Sequence, residues 1–123
     1  MAIIPTVKCS RIAAAIDFYT RTLDFDLAGV FPAPTDPAYA ILTRDGHELH
    51  LSSHAGDGVP GQSVIVLVED VDAVFAGIMA RGHRRPDKPG SPIHQGPTDQ
   101  TWGTQDFAVE DPDDNTVVFV QRT

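Results

Sequence analysis

Hydrophobic and polar positions change their spacing several times along the first third of the chain. Residues 3–9 form a short apolar run that contains a proline, which predicts a strand at a sheet edge or with a kink. From Ser10, a suitable N-cap, apolar residues recur at helical spacing, so an amphipathic helix is expected to extend to about Thr22. Residues 25–31 then alternate as in a strand, and the prolines after them exclude regular structure.

An Asp-Gly pair marks a hairpin in the next segment. Asp45 and Gly46 separate residues 39–43 from residues 48–52, and this dipeptide between two apolar segments is typical of a tight hairpin turn. Residues 54–61 hold three glycines and a proline, a composition typical of a linker. The chain up to the linker is therefore predicted to run strand, helix, strand, strand, strand.

The same order of patterns returns after the linker. Residues 63–68 are an almost purely apolar strand, Asp70 can cap a helix, and a helical stripe continues up to Gly82. Residues 83–104 are rich in proline, glycine and polar groups and are expected to hold at most one short strand. A second module of the same kind is therefore predicted to begin at the linker.

A second hairpin completes the repeat. Its predicted strands are residues 106–110 and 116–121, joined by the turn 111–115. Superposing the two hairpins places Asp45 on Asp113 and His50 on Val118.

This internal repeat predicts an α+β fold of two βαβββ modules, residues 1–55 and 60–123, which together form one domain. Each module is expected to have a mixed four-stranded sheet with its helix on the outer face. The two sheets are expected to curl around a concave cleft, where a ligand would bind.

Composition narrows the function classes. Hydrophobic residues make up 41% of the 123 residues and charged residues 21%, which is typical of a globular domain. The formal net charge of −8 disfavours nucleic acid and anionic membranes and favours a cationic ligand. Cys9 is the only cysteine, so no intrachain disulfide can form and a cytoplasmic location is expected. No leader segment and no run of 18 apolar residues is seen, so we expect nothing that targets or anchors the chain.

Three segments carry a family resemblance that extends over nearly the whole chain. They are PTVKCSRIAAAIDFYTRTLDF, AYAILTRDGHELHLSS and WGTQDFAVEDPDDNTVVFV. The sequence resembles the vicinal oxygen chelate superfamily of glyoxalases, bleomycin-resistance proteins and dioxygenases, which is built from paired βαβββ modules. The resemblance is closest to the bleomycin-resistance branch, and its most specific part is the Trp-Gly to Asp-Pro-Asp-x-Asn ending.

Enzymes of this superfamily hold a divalent metal with one residue from each of four strands. The resemblance places those positions on Ile4 or Pro5, His50, Ser63 and Val118. Of these only His50 is a good ligand, so no tightly bound metal and no cofactor is expected. The segment His47-Glu48-Leu49-His50 also lacks the helical spacing of a zinc motif, because on a strand only Glu48 and His50 share a face.

The bleomycin-resistance branch instead uses clefts at a homodimer interface to hold a flat, cationic glycopeptide. The resemblance implies that Tyr39 and Trp102 supply stacking faces, which attract planar cations. The candidate ligand-binding residues are Tyr39, His50, Ser52, Trp102, Gly103 and Asp106. The sequence therefore predicts a homodimeric protein that sequesters a bleomycin-like antibiotic without chemistry and without nucleic-acid or membrane partners.

Other interpretations stay open at this stage. A metal-dependent glyoxalase, lyase or dioxygenase with displaced ligands is the main alternative, and a protein that binds another metabolite is a third. Tyr39 could equally be a core aromatic, and packing of Trp102 on the sheet is an alternative to the cleft position that the resemblance favours. Cys9 is expected to act as a small buried hydrophobe. The carboxylates of residues 106–114 are expected to lie mostly on a solvated turn, with Asp111 or Asn115 making local turn hydrogen bonds.

Overall fold

The computed structural model describes residues 1–83 and 96–122. In those ranges two helices and eight strands follow one another in the predicted order, and a π-helical turn comes directly after the first helix. In chain order the elements are β1 (Thr6–Lys8), α1 (Ile12–Asp17), the π-helical turn (Phe18–Thr22), β2 (Asp26–Phe31), β3 (Tyr39–Arg44), β4 (His47–Ser52), β5 (Ser63–Leu67), α2 (Val71–Ala80), β6 (Thr98–Asp99), β7 (Thr104–Glu110) and β8 (Thr116–Arg122). No described helix is long and apolar enough to cross a membrane.

The strands form two mixed four-stranded sheets with the same topology. Their orders are β1-β4-β3-β2 and β5-β8-β7-β6. In each sheet the first strand pairs in parallel with the last, and the other pairs are antiparallel. His50 lies opposite Thr6 in one sheet, and Val118 lies opposite Ile65 in the other, so both occupy the same strand of the repeat. The α+β fold of paired βαβββ modules is confirmed.

The chain divides into two compact units. The first comprises Met1–Gln62 together with Asp111–Asn115, and the second comprises Ser63–Glu110 and Thr116–Thr123. The turn of the second hairpin thus belongs with the first unit, which the internal repeat does not anticipate. The module limits predicted at residues 55 and 60 stay a prediction.

Each sheet buries one face under its helix. In the first unit α1 packs on β3 and β4, and in the second α2 packs on β7 and β8. Phe107 stacks on Phe119 with ring centroids 5.2 Å apart, and Phe75 meets Phe107 edge to face. Among the described residues, the fully buried apolar side chains are Val7, Cys9, Ile12, Tyr19, Leu23, Ala38, Ala40, Leu42 and Leu51 in the first unit and Val71, Ile78, Val117 and Phe119 in the second.

Two local predictions, a hairpin turn and a helix cap, are confirmed. Asp45 and Gly46 have φ values of 52° and 78°, as a two-residue hairpin turn with both residues in the left-handed region requires. Asp70 caps α2, because its Oδ1 accepts a hydrogen bond from the Ala73 N–H at 3.0 Å.

The predicted start of α1 at Ser10 is wrong, whereas the predicted end of the helical segment near Thr22 is confirmed, because the π-helical turn ends there. The N-cap position is Arg11, whose side chain makes no capping bond, and the Ile12 N–H instead donates to Asp36 Oδ1 at 2.8 Å. Hydrogen bonds from Ser53 and from the Ile12 N–H lower the pKa of Asp36. A carboxylate from the proline-rich loop therefore replaces the local Ser10 cap.

The C-terminal part of the predicted helix is not α-helical either. From Phe18 the chain widens into the π-helical turn, in which the Leu23 N–H donates to the Phe18 carbonyl five residues earlier. The Thr20 hydroxyl also donates to the Ile16 carbonyl at 2.7 Å, which competes with the regular helical ladder.

The two ends of the turn Asp111–Asn115 are buried and polar rather than solvated. Asp111 is 5% exposed and Asn115 is 1% exposed. Asp111 Oδ2 accepts hydrogen bonds from the Tyr19 hydroxyl at 2.8 Å and from Asn115 Nδ2 at 2.9 Å. Asp111 Oδ1 accepts the backbone N–H groups of Asp113 and Asn115, as expected for local turn bonds. The expectation of local turn bonds is thus confirmed, and that of solvation is wrong at the two ends of the turn.

Asn115 satisfies backbone groups of the linker and of β1. Its Oδ1 accepts the N–H groups of Gly61 and Gln62 at 3.0 and 2.9 Å, and its Nδ2 donates to the Lys8 carbonyl at 2.8 Å. Gln62 in turn pairs with the outer edge of β1, since the Lys8 N–H donates to Gln62 Oε1 and Gln62 Nε2 donates to the Thr6 carbonyl. An amide side chain therefore occupies the hydrogen-bonding edge of β1 in place of a further strand.

Removing the Asn115 side chain is expected to destabilise the protein. Asn115→Ala leaves two backbone N–H groups, one carbonyl and part of the Asp111 carboxylate without partners, so we expect a loss of about 2–4 kcal/mol in the free energy of unfolding. Urea unfolding followed by circular dichroism measures it. Asp114→Asn is the matched control, because Asp114 is exposed with a φ of 60° that asparagine tolerates. Equal unfolding midpoints for both variants would contradict the role assigned to Asn115.

Candidate functional site

The face of the first sheet opposite its core carries three of the predicted site residues. Tyr39 lies opposite Ser52 across β3 and β4, and Ile41 lies opposite His50. Because successive residues of a strand point to opposite faces, Tyr39, His50 and Ser52 lie on the side away from the buried Ala40 and Leu51. We call this side the open face of the first sheet.

A chain of hydrogen bonds joins four side chains on this face. Thr6 Oγ1 lies 3.2 Å from Tyr39 Oη, and Tyr39 Oη lies 2.7 Å from His50 Nδ1. His50 Nε2 lies 2.9 Å from Glu48 Oε1. The rings of Tyr39 and His50 meet edge to face with centroids 5.2 Å apart. The chain thus holds an aromatic hydroxyl, an imidazole and a carboxylate in fixed contact.

Ser52 lies on the same side but is fully buried. Its hydroxyl donates to Asp57 Oδ2 at 2.6 Å and accepts the His54 N–H at 3.2 Å. These bonds fix the segment that follows β4. A ligand contact by Ser52 stays a prediction.

The predicted site residues of the second unit lie around the start of β7. Trp102 is 71% exposed, so the alternative in which its ring belongs to the core is wrong. Gly103 has a φ of 89°, a backbone conformation in which any residue with a side chain would be strained. Its N–H donates to the Gln100 carbonyl. Asp106 lies on the face opposite the buried Phe107, and its Oδ1 accepts a hydrogen bond from Gln100 Nε2 at 3.0 Å. The ligand-binding roles of these three residues stay predictions.

The donor set does not suit a metal ion of the superfamily type. Ile4 or Pro5, Ser63 and Val118 supply no imidazole or carboxylate beside His50. Within residues 1–83 and 96–122, no three His, Cys, Asp or Glu side chains come close enough together to hold a metal. Glu48 and His50 are two donors, and both are engaged with each other. We therefore derive no chemistry through a metal.

Among the described residues, Cys9 is the only thiol, and its surroundings make it unreactive. Cys9 is fully buried, and burial together with Asp113 and Asp36 raises the pKa of its thiol to about 12. A thiol with so high a pKa is not a nucleophile at neutral pH. Burial lowers the pKa of His83. His94 lies outside the described residues.

Sequence reasoning misses Thr6 as a member of the site. Alternation along β4 placed Glu48 on the same face as His50, and the resemblance supplied Tyr39. The parallel pairing of β1 with β4, which sets Thr6 opposite His50, is a contact between distant segments. Only the topology of the superfamily could have indicated it.

Comparisons with known proteins agree with the fold. The model of the Glyoxalase/Bleomycin resistance protein/Dioxygenase superfamily matches residues 6–119. Search of the curated proteins finds no match.

Solved structures of antibiotic-binding proteins are similar over the whole chain. A bleomycin resistance determinant encoded on the transposon Tn5 is 22% identical with a TM-score of 0.78, covering 99% of this chain and 98% of that one. A bleomycin-binding protein complexed with bleomycin is 21% identical with a TM-score of 0.78, covering 100% and 99%. TnmS3, an antibiotic-binding protein from a Streptomyces species, is 26% identical with a TM-score of 0.71, also covering 100% and 99%.

The exposure of Trp102 can be measured directly, since it is the only tryptophan. We expect red-shifted emission and collisional quenching by acrylamide close to that of N-acetyltryptophanamide, because water and quencher reach most of the ring. Unfolding in urea should then change the quenching little. Blue-shifted emission that acrylamide barely quenches would contradict the exposed position.

Proposed function

This chain belongs to the Glyoxalase/Bleomycin resistance protein/Dioxygenase superfamily, and we propose that it is an antibiotic-binding protein of the bleomycin-resistance type. It sequesters a planar, cationic drug without chemically changing it. The observation that carries this proposal is the exposure of Trp102, because an indole left in solvent on a small protein is available to stack on a ligand. Tyr39 is proposed as a second stacking face.

The charge distribution supports a cationic ligand. Ten of the 17 acidic side chains but only four of the nine basic ones lie in the first unit. The field of such a unit raises the local concentration of cations and repels anions. Aromatic faces attract planar cations by about 0.5–2 kcal/mol each, so stacking and charge favour the same class of ligand.

The metal-dependent alternative has weaker support. A glyoxalase, lyase or dioxygenase needs a Lewis acid held by three or four converging donors, and the matching positions hold an isoleucine or a proline, a serine and a valine beside His50. A binding protein needs no such donors. The candidate site residues of this chain, chiefly Tyr39, His50 and Trp102, therefore support binding over metal catalysis.

We further propose that the binding cleft is completed in a homodimer. Apolar side chains stay exposed on strands of both sheets, among them Leu27, Phe31, Ile65 and Leu67. Burying such residues against a second copy would remove apolar surface from water, at about 25 cal/mol per Å².

Sedimentation velocity at micromolar concentration tests the assembly. We expect a mass of about twice the 13.3 kDa of one chain. A charge substitution on an exposed strand, Leu67→Lys, should shift the equilibrium towards the monomer if β5 takes part. A single species at the monomer mass over the whole concentration range would refute the proposed homodimer.

Drug binding is tested by titrating the protein with bleomycin and following Trp102 fluorescence. We expect saturable quenching, and Trp102→Ala, followed by calorimetry, should weaken binding by about 1–3 kcal/mol because a stacking partner is lost. Affinity should also fall with added salt, since the Debye length drops from about 10 Å at 0.1 M to about 3 Å at 1 M.

Val59→Ala is the matched control for the tryptophan variant. Val59 is an exposed apolar residue of the linker, 69% exposed, so its truncation should leave affinity unchanged. If neither fluorescence nor calorimetry detects saturable binding of bleomycin, the proposed function is refuted while the fold is unaffected.

A further inference from the structure

Three hydrogen bonds link Thr6, Tyr39, His50 and Glu48 on the open face of the first sheet. The donor and the acceptor of each bond follow from the chemistry of these side chains. A carboxylate only accepts hydrogen bonds, so His50 Nε2 must carry the proton that lies between it and Glu48 Oε1. In the neutral imidazole the other nitrogen, Nδ1, is then an acceptor. With His50 in this neutral form, Tyr39 donates its phenolic proton to His50 Nδ1.

The same reasoning extends one step further. Because the phenolic proton of Tyr39 is committed to His50, the Tyr39 oxygen can take part in its 3.2 Å contact with Thr6 only as an acceptor. Thr6 must then donate its hydroxyl proton to Tyr39. Every polar proton in the chain is thus used inside the chain, and its direction is set by Glu48 at the far end.

A ligand that meets these side chains finds acceptors alone. The oxygens of Thr6 and Tyr39 retain lone pairs, and the Glu48 side chain is 43% exposed, so its carboxylate can be reached from solvent. Both nitrogens of His50 are occupied, so His50 offers its ring rather than a polar atom. An N–H donor can bind here, whereas a carbonyl, a carboxylate or a phosphate meets only lone pairs.

We propose that Thr6, Tyr39, His50 and Glu48 form an acceptor-only subsite that selects ligand groups rich in N–H donors, namely protonated amines, amidines and guanidines. This inference rests on the proposed function in taking the open face as part of the drug site. The subsite would discriminate among cations in a way that net charge cannot. A long-range field attracts all monovalent cations alike, whereas hydrogen bonds favour those with N–H groups. Tyr39 and Glu48 are the contacting residues, and His50 is a positioning residue that fixes the phenolic proton.

The donors and acceptors in these hydrogen bonds can be determined without any ligand, because they depend on the tautomer of His50. Long-range ¹H–¹⁵N spectra of the histidine rings in uniformly labelled protein at neutral pH report which nitrogen of His50 carries the proton. We expect the Nε2–H tautomer in the wild type and in Thr43→Val. Thr43 pairs with Glu48 across β3 and β4 but contributes no atom to the chain, so it serves as the matched control.

Glu48→Gln should change the spectrum. A glutamine amide can either accept from His50 Nε2 or donate to it, so the tautomer is no longer fixed and a mixture is expected. A purely structural role of Glu48 would leave the tautomer unchanged. An Nδ1–H tautomer or a doubly protonated ring of His50 in the wild type would overturn the proposal.

Selectivity is measured with two small aromatic cations. Benzamidine presents N–H donors, and phenyltrimethylammonium has the same charge and a phenyl ring but no N–H group. Titrations followed by chemical shift changes of the protein give the ratio of their affinities. We expect wild type and Thr43→Val to prefer benzamidine, and Tyr39→Phe and Glu48→Gln to lose that preference about tenfold, since a charge-assisted hydrogen bond is lost while the charge of the ligand and the phenyl ring at position 39 remain. Circular dichroism and urea midpoints confirm that the variants are folded.

The two proposals can fail separately. If bleomycin does not bind the wild type but benzamidine is preferred through Tyr39 and Glu48, the subsite stands and the proposed function falls. If bleomycin binds while the benzamidine preference is absent or equal in all four proteins, the proposed function stands and the subsite is overturned.

Discussion

The alternation of side chains along each strand is the constraint on which the rest of this structure depends. Each small sheet must bury one face under a single helix, so every second residue is committed to the core. The residues between them lie on the other face and are not part of that core. Tyr39, Glu48 and His50 lie in this second set, and their hydrogen-bonded chain is possible because the core on the far side holds the strands in register.

The order of elements could be predicted because it depends on local patterns. Apolar spacing marks the helices and strands, and Asp45-Gly46 fixes a hairpin through its own backbone preferences. The errors occur where a distant segment supplies the partner. Asp36 caps α1 from a loop that lies 24 residues beyond Ile12, and no local signal distinguishes it from Ser10.

The candidate site was predictable to a similar degree. A family resemblance indicated Tyr39 and His50, and strand alternation added Glu48, but neither could give the direction of their hydrogen bonds, which depends on which atoms actually meet. The turn Asp111–Asn115 shows the opposite case. Its five polar and turn-forming residues predict exposure to solvent. Its two ends are nevertheless buried, because Tyr19 and the linker form hydrogen bonds with their polar atoms.

The two modules show how one fold supports different chemistry at equivalent positions. His50 and Val118 occupy the same strand of the repeat, each opposite the first strand of its module. Around His50 the open face is polar and hydrogen-bonded, while Val118 lies opposite the exposed, apolar Ile65. Since the core faces are satisfied by any well-packed apolar set, exchanges on the open faces cost the fold little. On the open face of the first sheet, this freedom leaves His50 held between a carboxylate and a phenol.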